Sequence, residues 1–275
     1  MKAIRHLGFA DYQAVKACNW SSLKFLRKSP KKFRWAIEHP SEDTISRGKL
    51  RAAHTAILEP ERFLLDYVLF TGERRAGKAW EEFKENNDGR TILKQDEYAD
   101  AIAIAKAVKA EKAIANILSR GEAEVSLTWI DEETGIPCKG RIDWVDVERR
   151  VFADVKGTSD IDAMVFGSQS AKLGYHLQSA FYRRGLEQVY GVTFDPVLIP
   201  YETNAPHDAC VFRYPEEDLE SADAEIGELL KKLVECRAKN EWPGRYPEEE
   251  ALLLPAWAAV NRDEVLTAEV VEEAA

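Results

Sequence analysis

Two carboxylates and one lysine lie close together in a segment whose other residues are largely apolar. Asp143 precedes a charged turn, and Asp154 follows that turn, two residues before Lys156. Side chains alternate between the faces of a strand, so Asp154 and Lys156 should project to the same side about 7 Å apart. A hairpin would bring Asp143 beside them. Such a group suits Mg²⁺ or Mn²⁺, and the ammonium could hold an attacking water, as phosphodiester hydrolysis requires.

The Asp-x-Lys pattern has an ordinary structural interpretation as well, because such pairs are common on solvent-facing edge strands. The strand over 151–155 is otherwise apolar, however, so Asp154 would be desolvated at a cost that a metal could offset. Further along, Gln178 and Tyr182 are spaced i,i+4, which places an amide and a phenol on one helical face. They could support the site or simply pack on their neighbours.

Two more residues are candidates for the same site. His54 lies in the middle of a predicted helix over 50–58 and could ligate a metal or be a hydrogen-bonded core histidine. Glu124 begins the first predicted strand and could assist through a water or be an exposed acid at a strand end.

Charge is unevenly distributed along the chain. The 275 residues include 38 Lys+Arg and 48 Asp+Glu, a net charge of −10 that argues against non-specific coating of nucleic acid. The basic segment, residues 24–34, nevertheless has six cations and no acid, and could face a polyanion or be a solvated helix face. Its cations are Lys24, Arg27, Lys28, Lys31, Lys32 and Arg34.

Hydrophobic periodicity predicts the elements that position these residues. We expect a helical N-terminal part over 1–120, a sheet core over 121–214 and a C-terminal helical part over 215–257, followed by an acidic tail over 258–275. The core should have the order α-β-β-β-α-β within an α/β (α+β) fold. Its expected elements are a helix over 97–118, a strand meander over 124–130, 138–147 and 151–156, a helix over 173–190 and strands over 196–201 and 209–214.

Composition limits the cellular context. No apolar stretch reaches the roughly 18 residues needed to span a bilayer, and the N-terminus has no apolar signal core, so we expect a cytoplasmic protein without membrane contact. The four cysteines are too widely spaced for the usual zinc or iron–sulfur motifs and should be free thiols.

The order of these motifs resembles the PD-(D/E)XK nuclease superfamily, and within it the RecE-type exodeoxyribonuclease VIII group of phage and prophage recombination exonucleases. The resemblance covers roughly residues 18–257. The matching positions are Ser29-Pro30, His54 to Pro60, Arg74 to Trp80, Gly135 to Asp143, Asp154-Val-Lys156 and Gln178-x-x-x-Tyr182.

This resemblance implies a restriction-endonuclease-like core with a central mixed sheet flanked by helices. It implies metal ligation by His54, Asp143, Asp154 and the Val155 carbonyl, catalysis by Lys156, and support from Gln178 and Tyr182. The expected activity is Mg²⁺- or Mn²⁺-dependent exonuclease action on double-stranded DNA ends, in recombination or repair. The family also suggests a homo-oligomer and a single-strand annealing recombinase as partner.

Further DNA contacts are expected from Arg74, Arg75 and Lys78. Three alternatives stay open from sequence: an endonuclease, a helicase-associated nuclease of the same superfamily, or a non-catalytic module that binds DNA ends.

Overall fold

The computed structural model describes residues 2–4, 8–39, 45–72 and 74–254. A five-stranded mixed sheet, ordered β1-β4-β5-β6-β7, forms its centre, and a parallel pair, β2-β3, lies apart from it. The strands are β1 (Lys2–Ile4), β2 (Tyr67–Leu69), β3 (Thr91–Leu93), β4 (Glu122–Ile130), β5 (Pro137–Asp146), β6 (Val151–Thr158) and β7 (Asp195–Glu202).

Helices flank this sheet in the described part of the chain. They are α1 (Phe9–Ala14), α2 (Trp20–Leu23), α3 (Pro30–Glu38), α4 (Ile45–Leu58), α5 (Pro60–Asp66), α6 (Lys78–Asn86), α7 (Gln95–Ala110), α8 (Lys112–Leu118), α9 (Ala163–Leu173), α10 (Tyr175–Tyr190) and α11 (Glu216–Lys239). Within these ranges, no helix combines the length and apolar character that crossing a bilayer requires.

Strand connectivity confirms the predicted α-β-β-β-α-β core. Strands β4, β5 and β6 form an antiparallel meander, whereas β7 pairs with β6 in parallel. A parallel neighbour needs a crossover connection, which α9 and α10 supply. Gly191 ends α10 in the left-handed conformation, as expected for a C-cap glycine.

Two hydrophobic clusters hold the layers together. One joins α10 and α11 to β4 and β5 and includes the fully buried Phe181 and Ile226. The other joins α4 and α7 to β6 and β7 and includes Ala53 and Val108. The two clusters bring the N-terminal helices and the sheet close enough to share a site.

Two predicted elements are wrong in extent. The expected single helix over 97–118 is two helices, α7 and α8, separated at Glu111, whose backbone is extended. Beyond Val108 a continuous helix would bury positions 111, 112 and 115, but the apolar side chains are Ile114, Ile117 and Leu118. The break at Glu111 turns these three side chains back towards the buried side, and Ile114 is fully buried.

The expected strand over 209–214 is also absent from the sheet. That segment makes only isolated antiparallel bridges to β7, Leu198 with Phe212 and Tyr201 with Ala209. Phe212 and Leu198 exchange both main-chain hydrogen bonds, but the ladder is interrupted at Cys210, whose N–H donates to the Pro200 carbonyl while Pro200 has no N–H to donate in return.

Several elements are not apparent from the sequence. Pro60, which follows the predicted helix over 50–58, occupies the first turn of a new helix, α5, where its missing N–H costs nothing. No element is predicted between the helices over 50–58 and 97–118, yet this stretch also contains α6 and β3. Strands β1 and β2 and helix α9 are likewise not predicted. The predicted acidic tail, 258–275, lies outside the described residues.

Candidate active site

The candidate site lies where the sheet ladders are interrupted. Strand β5 pairs with β6 only from Trp144↔Ala153 to Asp146↔Val151, and one further step would place Asp143 opposite Asp154. The β4–β5 ladder also skips one position, where Glu124 would face Asp143. Glu124 has a φ of 56°, a left-handed conformation that a glutamate rarely adopts without a compensating interaction. Carboxylates from three neighbouring strands therefore meet at one gap in the sheet.

Helix α4 supplies the histidine from the second layer. Small residues at Ala52, Ala53 and Ala56 are buried on this helix and allow close packing. Gly157 of β6 allows an equally close approach, because a Cβ there would lie 2.8 Å from a methyl carbon of Leu50. His54, one turn further along α4, thereby reaches the gap.

Direct contacts join His54 to two of the carboxylates. Its Nε2 lies 3.0 Å from Asp143 Oδ2, and its Nδ1 lies 3.4 Å from Glu124 Oε1. The main-chain N–H of Val155 donates to the same Asp143 oxygen at 2.7 Å. The sequence-predicted His54, Glu124 and Asp143 are thus brought together, with potential ligand atoms all within 4.8 Å of one another.

A second chain of contacts runs from Asp154 into α10. Lys156 Nζ lies 2.6 Å from Asp154 Oδ2 and donates to Gln178 Oε1 at 3.2 Å. Gln178 Nε2 in turn donates to the Tyr182 hydroxyl at 3.0 Å. The ring of Tyr182 can approach the sheet because Gly140 has no Cβ, which would otherwise lie 3.0 Å from it. All four predicted residues therefore form one connected arrangement.

Burial and charge shift the acidities in this group. Burial opposes protonation of His54, but Asp143 and Glu124 outweigh it and raise the pKa of His54 to about 9. Burial would raise the pKa of Asp143, yet His54 and Lys156 lower it to about 2. Burial raises the pKa of Asp154 to about 6, against the opposing Lys156 ammonium and with a further rise from Asp143. The positive charge around Asp154 is therefore too small to offset its burial and the neighbouring Asp143 carboxylate.

The donor set fits a divalent cation. Carboxylate oxygens suit Mg²⁺ and Mn²⁺, and an imidazole nitrogen can complete the ligand set of a divalent cation. Both Asp154 carboxylate oxygens are buried and, apart from the Lys156 ion pair, accept no hydrogen bond from any described residue. A cation between Asp143 and Asp154 would satisfy them. The Val155 main-chain N–H donates to Asp143 and so holds this part of β6 beside the carboxylates.

The predicted DNA-contacting cations lie outside this cluster, in the turn after α2, on α3, in the segment before α6 and at the first residue of α6. Three of them have partners within the protein: Arg27 pairs with Glu225 at 2.6 Å, Arg34 with Glu38 at 2.8 Å, and Arg75 donates to the Ile92 carbonyl at 2.8 Å. Five of these predicted cations are exposed and make no ion pair with a described residue: Lys28, Lys31, Lys32, Arg74 and Lys78. Lys24, also exposed, lies over the Phe25 ring.

Two residues at the site are not found from the sequence. The Lys156 ammonium lies 4.9 Å from the ring centre of Tyr175, the first residue of α10, in a cation–π contact. Arg141 forms a short hydrogen-bonded ion pair with Glu124 through its Nε. Its position two residues before Asp143 on a strand is the available signal. Nothing in the local pattern marks Tyr175.

Comparison with known proteins gives the family and the fold. Residues 19–252 match the family described as "PDDEXK-like domain of unknown function (DUF3799)". No curated protein matches the sequence. A solved structure described as a "putative exonuclease" from Eubacterium rectale is similar over 94% of this chain and all of that one, with 12% identity and a TM-score of 0.62. A "phage related exonuclease" from Haemophilus somnus 129PT gives 13% identity, a TM-score of 0.31, and coverage of 75% and 94%.

The family match covers most of the chain, and the fold agrees with it. The strand order, the crossover through α9 and α10 and the carboxylates at the gap in the sheet are those of a PD-(D/E)XK nuclease fold. The chain belongs to the PDDEXK-like family DUF3799.

Proposed function

We propose that this protein is a metal-dependent DNA exonuclease that hydrolyses phosphodiester bonds from duplex ends. The observation that carries the proposal is the meeting of Asp143, Asp154 and Lys156 at the gap between β5 and β6, with His54 and Glu124 against Asp143. Structural ion pairs rarely leave two neighbouring carboxylates buried with one ammonium, because the desolvation cost is high. Functional sites retain such arrangements.

Holding the cation would be the task of His54, Asp143, Asp154 and the Val155 carbonyl, with Glu124 adding a ligand directly or through water. Mg²⁺ or Mn²⁺ bound there supplies a Lewis acid that polarises a phosphoryl oxygen and acidifies water. His54 must be neutral to ligate, so it gives up a proton that Asp143 and Glu124 otherwise hold in place.

The remaining residues act on the attacking water and on each other. Lys156 stays protonated, since Asp154 and Asp143 overcome the effect of burial and raise its pKa. Its ammonium would orient the water and stabilise charge that develops on the phosphoryl group. Gln178 fixes the ammonium, and Tyr182, whose pKa burial raises well above 10, remains a neutral phenol that orients Gln178.

Finer features of the proposal rest on resemblance. We infer the RecE-type group, a role in recombination or repair, homo-oligomers and an annealing recombinase partner from the resemblance of the motifs, and a cytoplasmic location from the composition. The description of the Eubacterium rectale protein as an exonuclease supports the end-directed activity. The basic segment and the cations near α6 would guide DNA to the site.

Digestion of DNA with defined ends tests the proposal. Linear end-labelled duplex and covalently closed circular duplex are incubated with Mg²⁺ or Mn²⁺, with an EDTA control and a Lys156→Ala control. We expect label release from the linear substrate only, and none in either control. Cleavage of the circle would instead indicate an endonuclease. Binding of DNA ends with no cleavage under any metal condition would indicate a non-catalytic module.

A further inference from the structure

A large cavity separate from the His54–Asp143 cluster opens between α1, α3 and the start of β5. Its volume is about 1180 Å³, above the roughly 300–1,000 Å³ of ordinary small-molecule pockets. None of the residues that form the candidate catalytic cluster lines it. We call this cavity the α1–α3 groove. Its size favours an extended ligand over a compact one.

The lining of the groove is cationic in a protein of net charge −10. Its described lining residues include no aspartate or glutamate. Four exposed cations, each without an ion pair to a described carboxylate, line it: Lys16, Lys28, Lys32 and Arg237. A groove that keeps four unpaired cations is complementary to a polyanion.

Aromatic side chains lie among these cations. Phe9 is 53% exposed and Trp35 is 63% exposed, and Tyr12 and Phe25 are half-buried in the same lining. Trp35 stacks on His39, with ring centres 3.6 Å apart and planes 12° apart, which makes a flat platform. Apolar surface that is grouped together and rimmed by polar residues marks sites at which a ligand or partner binds.

Cations that follow a backbone, together with aromatic rings that accept stacked bases, are the features with which proteins bind single-stranded nucleic acid. A duplex cannot use such rings in the same way, since its bases are stacked and paired internally. An acidic peptide would use the cations but would gain little from Phe9 and Trp35. The combination therefore favours an unpaired DNA strand.

The groove is connected to the candidate catalytic cluster through β5. Lys139 lines the groove, where it donates to the carbonyls of Tyr12 and Val15 at 2.8 and 2.7 Å. Two residues later, Arg141 pairs with Glu124, which contacts His54. Four residues of strand separate Lys139 from Asp143, about 13 Å. A single DNA strand that occupies both the groove and the cluster would therefore have to span about 13 Å.

We propose that the α1–α3 groove binds an unpaired DNA strand adjoining the phosphate to be cleaved. This inference rests on the proposed nuclease function for the strand's destination, and its binding component can be tested without catalysis. A 12-residue oligothymidylate and a blunt 12-base-pair duplex, each fluorescently labelled, are titrated with the full chain in EDTA. Competition with poly-glutamate measures the contribution of charge alone.

Trp35→Ala should weaken oligothymidylate binding about tenfold or more, because loss of one base–aromatic stack costs that much, with little effect on the duplex. Trp35→Phe should retain most of the affinity. Lys28→Ala combined with Lys32→Ala should flatten the logarithmic salt dependence by about 0.7 per lost contact on a single strand. The matched control removes two exposed lysines outside the groove, Lys106 and Lys112, and should change neither.

Three results would overturn the inference: equal binding by Trp35→Ala and wild type, equal losses of single-strand and duplex binding in Trp35→Ala, or displacement of the oligonucleotide by poly-glutamate at matched charge. The last would assign the groove to an acidic peptide. Trp35-dependent binding of the single strand without cleavage of DNA in added metal would support strand binding by the groove and contradict the nuclease proposal. Cleavage without Trp35-dependent binding would refute the groove and leave the nuclease proposal intact.

Discussion

Raising the pH from 6.5 to 9 should destabilise the metal-free protein through His54. The pKa of His54 rises from 6.5 to about 9 in the folded state, so the proton it holds stabilises the fold. That contribution is fully present below pH 6.5 and is lost as the pH rises through 9. The shift of 2.5 units, at 1.36 kcal/mol per unit, corresponds to about 3 kcal/mol of unfolding free energy.

The assay is urea unfolding in EDTA at intervals from pH 6 to 9.5. Wild type should lose about 3 kcal/mol across this range, and His54→Gln should lose little, because glutamine cannot take up the proton. His39→Gln, which removes an exposed histidine directly after α3, should keep the wild-type decline. Parallel curves for wild type and His54→Gln would refute the ion pairs of His54 with Asp143 and Glu124.

The same proton competes with a cation. Mn²⁺ binding should release a proton at pH 7.5, and affinity should rise up to about tenfold per pH unit until pH 9. Calorimetry in two buffers of different ionisation enthalpy measures the proton release directly. A pH-independent affinity in wild type would remove His54 from the ligand set.

Three other changes should have defined effects. Lys156→Ala should lower hydrolysis of end-labelled duplex about 10²- to 10⁴-fold while leaving DNA binding in EDTA intact, and comparable turnover would exclude the lysine from the reaction. A triple alanine variant of the basic segment should flatten the salt dependence of duplex binding by up to about 0.9 per lost phosphate contact, whereas an unchanged slope would make the segment a solvated face. The residues replaced in this triple variant are Lys28, Lys31 and Lys32. Gly157→Ala should destabilise the protein by about 1–3 kcal/mol and weaken Mn²⁺ binding, because the added Cβ would displace α4 at Leu50. Unfolding and calorimetry measure the two effects, and unchanged values would show that α4 packs more loosely.

Much of the core could be predicted because local patterns determine it. Alternation along 124–156 identified the meander, and the two-residue spacing of Asp154 and Lys156 placed them together. The break in the predicted helix over 97–118 could not be predicted. The hydrophobic periodicity shifts at Glu111, and this shift matters only because the sheet determines which side of the helix is buried. Pro60 is compatible with ending one helix or beginning the next, and tertiary packing decides.

The site could be predicted in composition but not in its contacts. The sequence placed His54 and Glu124 in the same set, yet their 3.4 Å contact depends on packing between layers that are distant in sequence. The same contacts explain why the imidazole should titrate near pH 9, where an isolated histidine would titrate near 6.5. Tyr175 could not be predicted because a cation–π contact has no sequence spacing rule when its partner lies on another element.

The origin of His54 on α4 has a consequence for folding dynamics. The carboxylates belong to the sheet, 70 to 100 residues further along the chain. A cation bound by His54 and by these carboxylates would therefore cross-link the helical layer and the sheet. Any local opening that lifts α4 from β6 would break the coordination shell, and mass action would oppose that opening in proportion to free metal. Hydrogen exchange of the α4 amides should therefore slow when Mn²⁺ is added and accelerate with a chelator, before exchange in the central strands changes.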